Sequence, residues 1–110
     1  MNKILKNIDL STVLSLKDLV NYQDGQIVSK TLIQNSNVSL TLFAFDKDEE
    51  ISTHSSHGDA LVYVTDGTGQ VTIGEETFTL TTGETIVMPA QVPHAVYASE
   101  KFKMFLIVIF

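Results

Sequence analysis

The sequence predicts an all-β chain folded as a sandwich or barrel, led in by one short helical turn. Three observations predict it. Apolar residues recur with period two from Gln26 onward, the alternation of half-buried strands. About eight such runs follow at close spacing, and turn residues such as Asp-Gly, Asn-Ser-Asn and Thr-Gly separate them. Short strands punctuated in this way belong to sandwiches and barrels, not to chains that alternate strands with helices.

Residues 1–25 precede the strands. Leu5, Ile8, Leu10, Val13 and Leu14 give residues 1–16 the character of an arm that packs on the body or on a partner chain. Ser15 followed three residues on by Asp18 is a capping-box pattern for a single helical turn. Asp24-Gly25 then turns the chain. Residues 26–110 make up the barrel, and no repeat or linker divides it. Strands are expected at Ile27 to Gln34 and Val38 to Phe45, with Asn35-Ser36-Asn37 between them. The second carries Val38, Leu40, Leu42 and Ala44 on one face and ends with Phe43 and Phe45 on the other. Such a strand is buried on both sides near its end. Asp46 to Ser56 reads as a long polar loop. A strand at Ala60 to Thr65 is expected to close at Asp66-Gly67. Gln70 to Ile73 and Thr77 to Leu80 form a hairpin around Gly74-Glu75-Glu76. Short strands follow at Thr85 to Met88 and Ala95 to Ala98, and the last spans Phe102 to Phe110. That strand is apolar on both faces, so it is expected at a central position or with one face on a second subunit.

Composition narrows the function. A chain of 110 residues fits one domain. It has no cysteine, which excludes disulfides, thiolate metal sites and cysteine nucleophiles. It has seven lysines, no arginine and a net charge of −6, a balance that argues against nucleic acid. Without arginine there is no bidentate fork for a carboxylate or phosphate. Asn7, Asp9 and Ser11 interrupt the N-terminal apolar residues, and FLIVIF is too short to span a membrane. The expected setting is soluble and cytoplasmic, with no membrane partner.

His54, His57 and His94 are the only histidines, and each lies beside an expected strand end. Imidazole is the commonest protein metal ligand. Three imidazoles with open positions suit iron, nickel, manganese, copper or zinc, and softness does not choose among them. A strand would place His54 and His57 on opposite faces, so their convergence requires irregular backbone, which Ser55, Ser56 and Gly58 permit.

In these residues the chain resembles a small single-domain bacterial cupin of the conserved-barrel type. The cupin first motif, G-x5-H-x-H-x3-E-x6-G, is met at His54 and Gly67, and the second, G-x5-P-x-G-x2-H-x3-N, at Gly83, Pro89 and His94. The resemblance covers roughly residues 38–110 and implies an antiparallel jelly-roll barrel. It also implies a divalent transition metal at the barrel mouth, and dioxygenase- or isomerase-type chemistry on a small molecule. The departures fall on the site. Ser56 stands at the family's second histidine, Ala60 at its glutamate, Asp48 and Gln91 at two glycines, and Ala98 at its asparagine. His57 is the candidate replacement ligand, giving a metal set of His54, His57 and His94. Asp59 is a weaker oxygen donor, because alternation turns it away from the face of Ala60.

The lost glutamate leaves no evident acid/base pair for isomerisation. Tyr63 and Tyr97 read as packing residues with a polar tip. The alternative is a non-catalytic barrel whose cavity, walled by Val62, Val64, Phe78, Ile86 and Met88, holds a small apolar ligand. A homodimer built on the apolar last strand is expected with either reading.

Overall fold

Residues 4–110 are described by a computed structural model; positions 1–3 of the expected arm lie outside the described residues. One 3-10 turn, Leu16–Asp18, precedes β1 (Ile27–Gln34), β2 (Val38–Phe45), β3 (Glu50–His54), β4 (Asp59–Ile73), β5 (Glu76–Thr81), β6 (Thr85–Met88), β7 (His94–Tyr97) and β8 (Phe102–Ile109). Every strand pairing is antiparallel among the described residues. No helix among them is long and apolar enough to cross a membrane.

The barrel turns on β4, which belongs to two sheets. Its first half pairs with β8 and β6, in a sheet that continues through β2 to β1. Its second half pairs with β5 and β7, and β3 closes that sheet beyond β7. The expectation of a strand that stops at Asp66-Gly67 is corrected here: the chain continues straight through as one strand of 15 residues. The register against β8 shifts between Val64 and Asp66, which leaves Thr65 as the extra, bulged residue, and Asp66 and Gly67 pair on with Lys103 and Phe102. Gly67 follows the bulge with φ of +80°, a left-handed conformation that suits glycine in a turn or beside a bulge alike.

The core follows from alternation. Ala60, Val62 and Val64 point inward from β4 and meet Phe45, Met88, Phe102, Met104 and Val108. Phe45 and Phe102 stack with centroids 4.6 Å apart. Beyond the bulge Val71 points inward with Leu80 and Val96. The two faces of β2 are buried as expected, but against different partners. Phe43 and Phe45 face this core, while Leu42 and Ala44 face a second cluster with Val20 and Leu32. The arm supplies the cover for that second cluster, through Leu5, Ile8, Leu16, Leu19 and Tyr22. β8 lies between β2 and β4, the central position its two apolar faces predict.

Polar contacts anchor the arm. The Lys6 amide donates to the Leu32 carbonyl at 2.8 Å, and Asn7 Nδ2 to the Thr31 carbonyl at 2.8 Å. Tyr22 donates its hydroxyl to Asp66 at 2.6 Å. Burial and that carboxylate push the phenol well above its ordinary pKa. The Lys103 ammonium lies 4.9 Å from the Tyr22 ring centroid and donates to the Lys17 carbonyl at 2.5 Å. The helical turn forms where Ser15 predicts it, but without the side-chain cap. The turn is closed by its backbone instead, Asp18 N–H to the Ser15 carbonyl at 3.0 Å.

Candidate functional site

β3 lies inside the stretch expected to be loop. Its sequence EISTH leaves it exposed along most of its length, so it lacks the apolar alternation that marks a strand. Its register against β7 shifts between Ile51 and His54. Without that shift, an offset of three would place Ile51 and His54 on opposite faces. The bulge adds one residue, so Ile51 pairs with Val96 and His54 pairs with His94. Both histidines therefore share the inward side of the barrel mouth. His94 is 3% exposed, and His54 lies above it, open to solvent.

The two imidazoles meet edge to face, with Nε2 atoms 3.2 Å apart and centroids 4.4 Å apart. Their other nitrogens are held by backbone. His54 Nδ1 lies 2.9 Å from the Ser52 carbonyl, and His94 Nδ1 lies 3.2 Å from the Val92 carbonyl. A carbonyl only accepts, so each Nδ1 is placed to donate, and the tautomer that does so turns its Nε2 lone pair toward the other ring. Two such lone pairs repel unless a proton or cation lies between them. Burial, then the neighbouring His54, holds the His94 pKa below the usual imidazole range.

That depression sets a pH dependence. The unfolded imidazole titrates near 6.5, and the buried one accepts its proton only at lower pH. The folded state thus binds fewer protons through this window, and stability falls as pH drops below about 6.5. Denaturant midpoints from pH 8 to pH 5 are expected to fall for the native chain and to flatten for His94→Gln. An equal slope in both would assign the loss to other groups.

His57 does not join the pair. Its Nδ1 meets Gln91 Nε2 at 3.1 Å, and no three His, Cys, Asp or Glu side chains are gathered to hold an ion among the described residues. Backbone geometry thus brings His54 to His94, while His57 contacts Gln91 on the neighbouring loop. Asp59 is engaged too, accepting the Ala90 N–H at 2.8 Å. With the Gln91 N–H donating to the Ser56 carbonyl at 2.8 Å, these contacts zip the loop after β3 to the loop after β6. Gln91 is the residue that sequence reading missed, and only its place in the second motif marked it.

Of the expected cavity walls, Val62, Val64 and Met88 are buried in the core, and Ile86 packs on them. Phe78 stays partly exposed on β5. Val62, Val64, Met88 and Ile86 pack against one another in the barrel interior. Ala60, at 2% exposed, belongs to the same packed core.

Comparison with known proteins places this architecture. The family model described as Cupin domain matches residues 41–110. The chain belongs to the cupin domain family. A conserved Streptococcus pyogenes protein of unknown function is 42% identical, with a TM-score of 0.96 over 98% of this chain and 95% of that one. A cupin superfamily protein of Desulfitobacterium hafniense is 28% identical, with a TM-score of 0.91 over 96% and 97% of the two chains. A cupin 2 conserved barrel domain protein of Leptotrichia buccalis is 42% identical over 88% of this chain and 47% of that longer one, with a TM-score of 0.86. Among curated proteins none matches.

Two departures from the cupin motifs now have a physical reading. Asp48 and Gln91 stand where the motifs carry glycine, and both keep left-handed backbone, at φ of +72° and +69°. The turns survive, and the side chains carry the strain, about 1–2 kcal/mol each for an L-residue. Asp48 offsets part of it by accepting the Tyr97 hydroxyl at 2.7 Å. At position 91, Gln91→Gly is therefore expected to be about 1 kcal/mol more stable than Gln91→Ala, because both lose the contact to His57 and only glycine relaxes the backbone. Urea titration of the two variants checks this; equal midpoints would remove the strain argument.

Proposed function

We propose that this cupin holds a divalent transition metal between His54 and His94 and offers it to a small molecule at the barrel mouth. One observation carries the reading: two Nε2 atoms 3.2 Å apart, each ring with its Nδ1 beside a backbone carbonyl on its far side. Nitrogens about 2.0–2.1 Å from one ion stand roughly 2.9–3.4 Å apart at octahedral to tetrahedral angles. The carbonyl contacts are the outer contacts that orient ligating imidazoles. The donor set thus fits iron, nickel, manganese, copper or zinc, and does not choose among them.

When bound, the metal would supply Lewis-acid or oxygen-activating chemistry. The chain's own residues do the rest. The Ser52 and Val92 carbonyls fix the tautomers, and Ile51 and Val96 give the mouth an apolar floor. Ala60 supplies no proton-transfer group, so dioxygenase-type chemistry suits the site better than isomerisation, which needs an acid/base pair. Ala60 also favours the second reading, a non-catalytic barrel that binds a small ligand at a degenerate metal site. The protein is proposed to act as a cytoplasmic homodimer, with the outer apolar face of β4 and β8 as its contact.

Metal-free protein loaded with each of the five ions and then desalted tests the reading. One ion per chain is expected with at least one metal, and His57→Ala is expected to keep it. Absence of stoichiometric metal throughout would overturn the proposal. Loss of metal in His57→Ala would restore a three-imidazole set.

A further inference from the structure

We infer that His57 and Gln91 act as a specificity couple at the barrel mouth, holding an uncharged, amide-type end of the small molecule whose other end reaches the metal. This rests on the metal reading above and names a substrate class for the same site.

The couple stands beside the imidazole pair. His57 lies three residues beyond His54, and Gln91 three residues before His94. Three residues span at most roughly 11 Å of chain, so a small molecule seated on the pair reaches the couple. Backbone contacts fix its place. The Gln91 N–H donates to the Ser56 carbonyl at 2.8 Å, and the Ala90 N–H donates to Asp59 Oδ1 at 2.8 Å. Both side chains are exposed, so a ligand in the mouth meets them directly.

Strain marks Gln91. Its φ of +69° is a conformation that glycine adopts freely and an L-residue does not. An amide is thus held at the rim against the preference of its own backbone. Outliers of this kind cluster at ligand sites. The amide is also aimed, with Nε2 at 3.1 Å from His57 Nδ1.

The pairing leaves a defined pattern. When the amide donates to Nδ1, the neutral imidazole keeps its N–H at Nε2, and the amide oxygen remains to accept. When the amide is turned over, its oxygen accepts from Nδ1. Nε2 then accepts, and the amide hydrogens donate. Either arrangement presents donor and acceptor side by side with no charge. A carboxamide or lactam answers with one of each. A carboxylate offers acceptors only, and an ammonium donors only.

Charge points the same way. The segments at this end, residues 53–59, 73–76 and 89–94, carry Asp59, Glu75 and Glu76 and no lysine. The β4–β5 hairpin belongs to this end, since Ile73 pairs with His94 and the Gly74 N–H donates to the Pro93 carbonyl at 2.8 Å. Lys47 precedes the far end of β3, and Lys101 and Lys103 lie at the far end of β8, whose other end pairs with Asp59. Lys6, Lys17 and Lys30 lie on the arm and β1. An ion between two neutral imidazoles favours an oxygen-donor head. Negative charge on the tail would face the three carboxylates with no cation to offset it. An ammonium tail would share a small mouth with a dication. An uncharged tail meets neither penalty.

Hydroxamates that end in a carboxamide, with one to three methylenes between the groups, test this beside their carboxylate-ended analogues. The hydroxamate head is common to both, so only the tail differs. On metal-loaded native protein, calorimetric titration is expected to show at least one amide binding about 10-fold more tightly than its carboxylate analogue. His57→Ala and Gln91→Gly are each expected to reduce that preference by about 5-fold or more with metal content retained. A merely loosened loop would weaken both members of a pair alike. Equal affinities within every pair, or a preference that survives both substitutions, would overturn the couple and leave the metal reading standing. In metal-free protein, propionamide but not propionate is expected to shift the His57 ring resonances in NMR spectra. The same response to both would overturn the couple whether or not the protein takes up metal.

Discussion

Gly67→Ala is expected to destabilise the barrel by about 3–5 kcal/mol, which lowers the thermal midpoint by roughly 15 °C or more. Two effects add. Gly67 has φ of +80°, where an L-residue bears about 1–2 kcal/mol of strain. In addition, an added Cβ would lie inside the van der Waals radius of the Lys101 carbonyl oxygen and 2.9 Å from Phe102 Cα. Both are backbone atoms of the neighbouring chain segment, and neither can rotate away. Relief requires the bulge to open, and the bulge is where β4 passes from one sheet to the other. Gly25→Ala is the control. Its φ is +67°, yet an added Cβ meets nothing within 4 Å, so only the backbone strain of about 1 kcal/mol is expected. Denaturant titration of the two variants separates the effects. Equal losses would mean that close approach at Gly67 contributes nothing.

His94→Ala is expected to lower metal affinity by at least about 100-fold, beyond the 10–100-fold that follows loss of an outer contact. His94 is one of only two side-chain donors at the proposed centre, so its removal leaves His54 alone on a solvent-exposed strand end. The fold should survive. The imidazole is buried beside Val96, but its neighbour is a second imidazole whose lone pair faces it, so the lost packing is partly offset. His54→Ala is expected to match it in affinity with a smaller effect on stability, since His54 is exposed. Competition against a chromophoric chelator reads the affinities, and far-ultraviolet circular dichroism reads the fold. Unchanged affinity in His94→Ala would place the metal elsewhere.

Most strands were legible because their alternation is intact. β1, β2, β5, β6 and β8 begin and end within a residue or so of the expected limits. Two places misled, and both are bulges. At Asp66-Gly67 the local chemistry suits a turn, and only the partner strand decides that the chain goes straight on. At Ile51 to His54 the extra residue breaks the period of two, and the polar sequence of β3 hides the strand. The candidate site inherits that second ambiguity. His54 and His94 could be named from motif spacing, but where His57 points depends on the backbone that follows the register shift. The carbonyls of Ser52 and Val92 were invisible in principle, since any residue type presents the same backbone oxygen.

The place of β8 has a consequence for how the protein is made. Residues 102–109 sit between β2 and β4, so the first two strands cannot join the rest until this last one is available. A nascent chain leaving the ribosome holds β1 and β2 as a lone hairpin, and such a pair is marginal in water. Closure then waits on contacts between residues some sixty positions apart, as in the pairing of Leu42 with Phe105, a topology that folds slowly. During that wait the apolar surface of β2 stays uncovered, an exposure set by strand order.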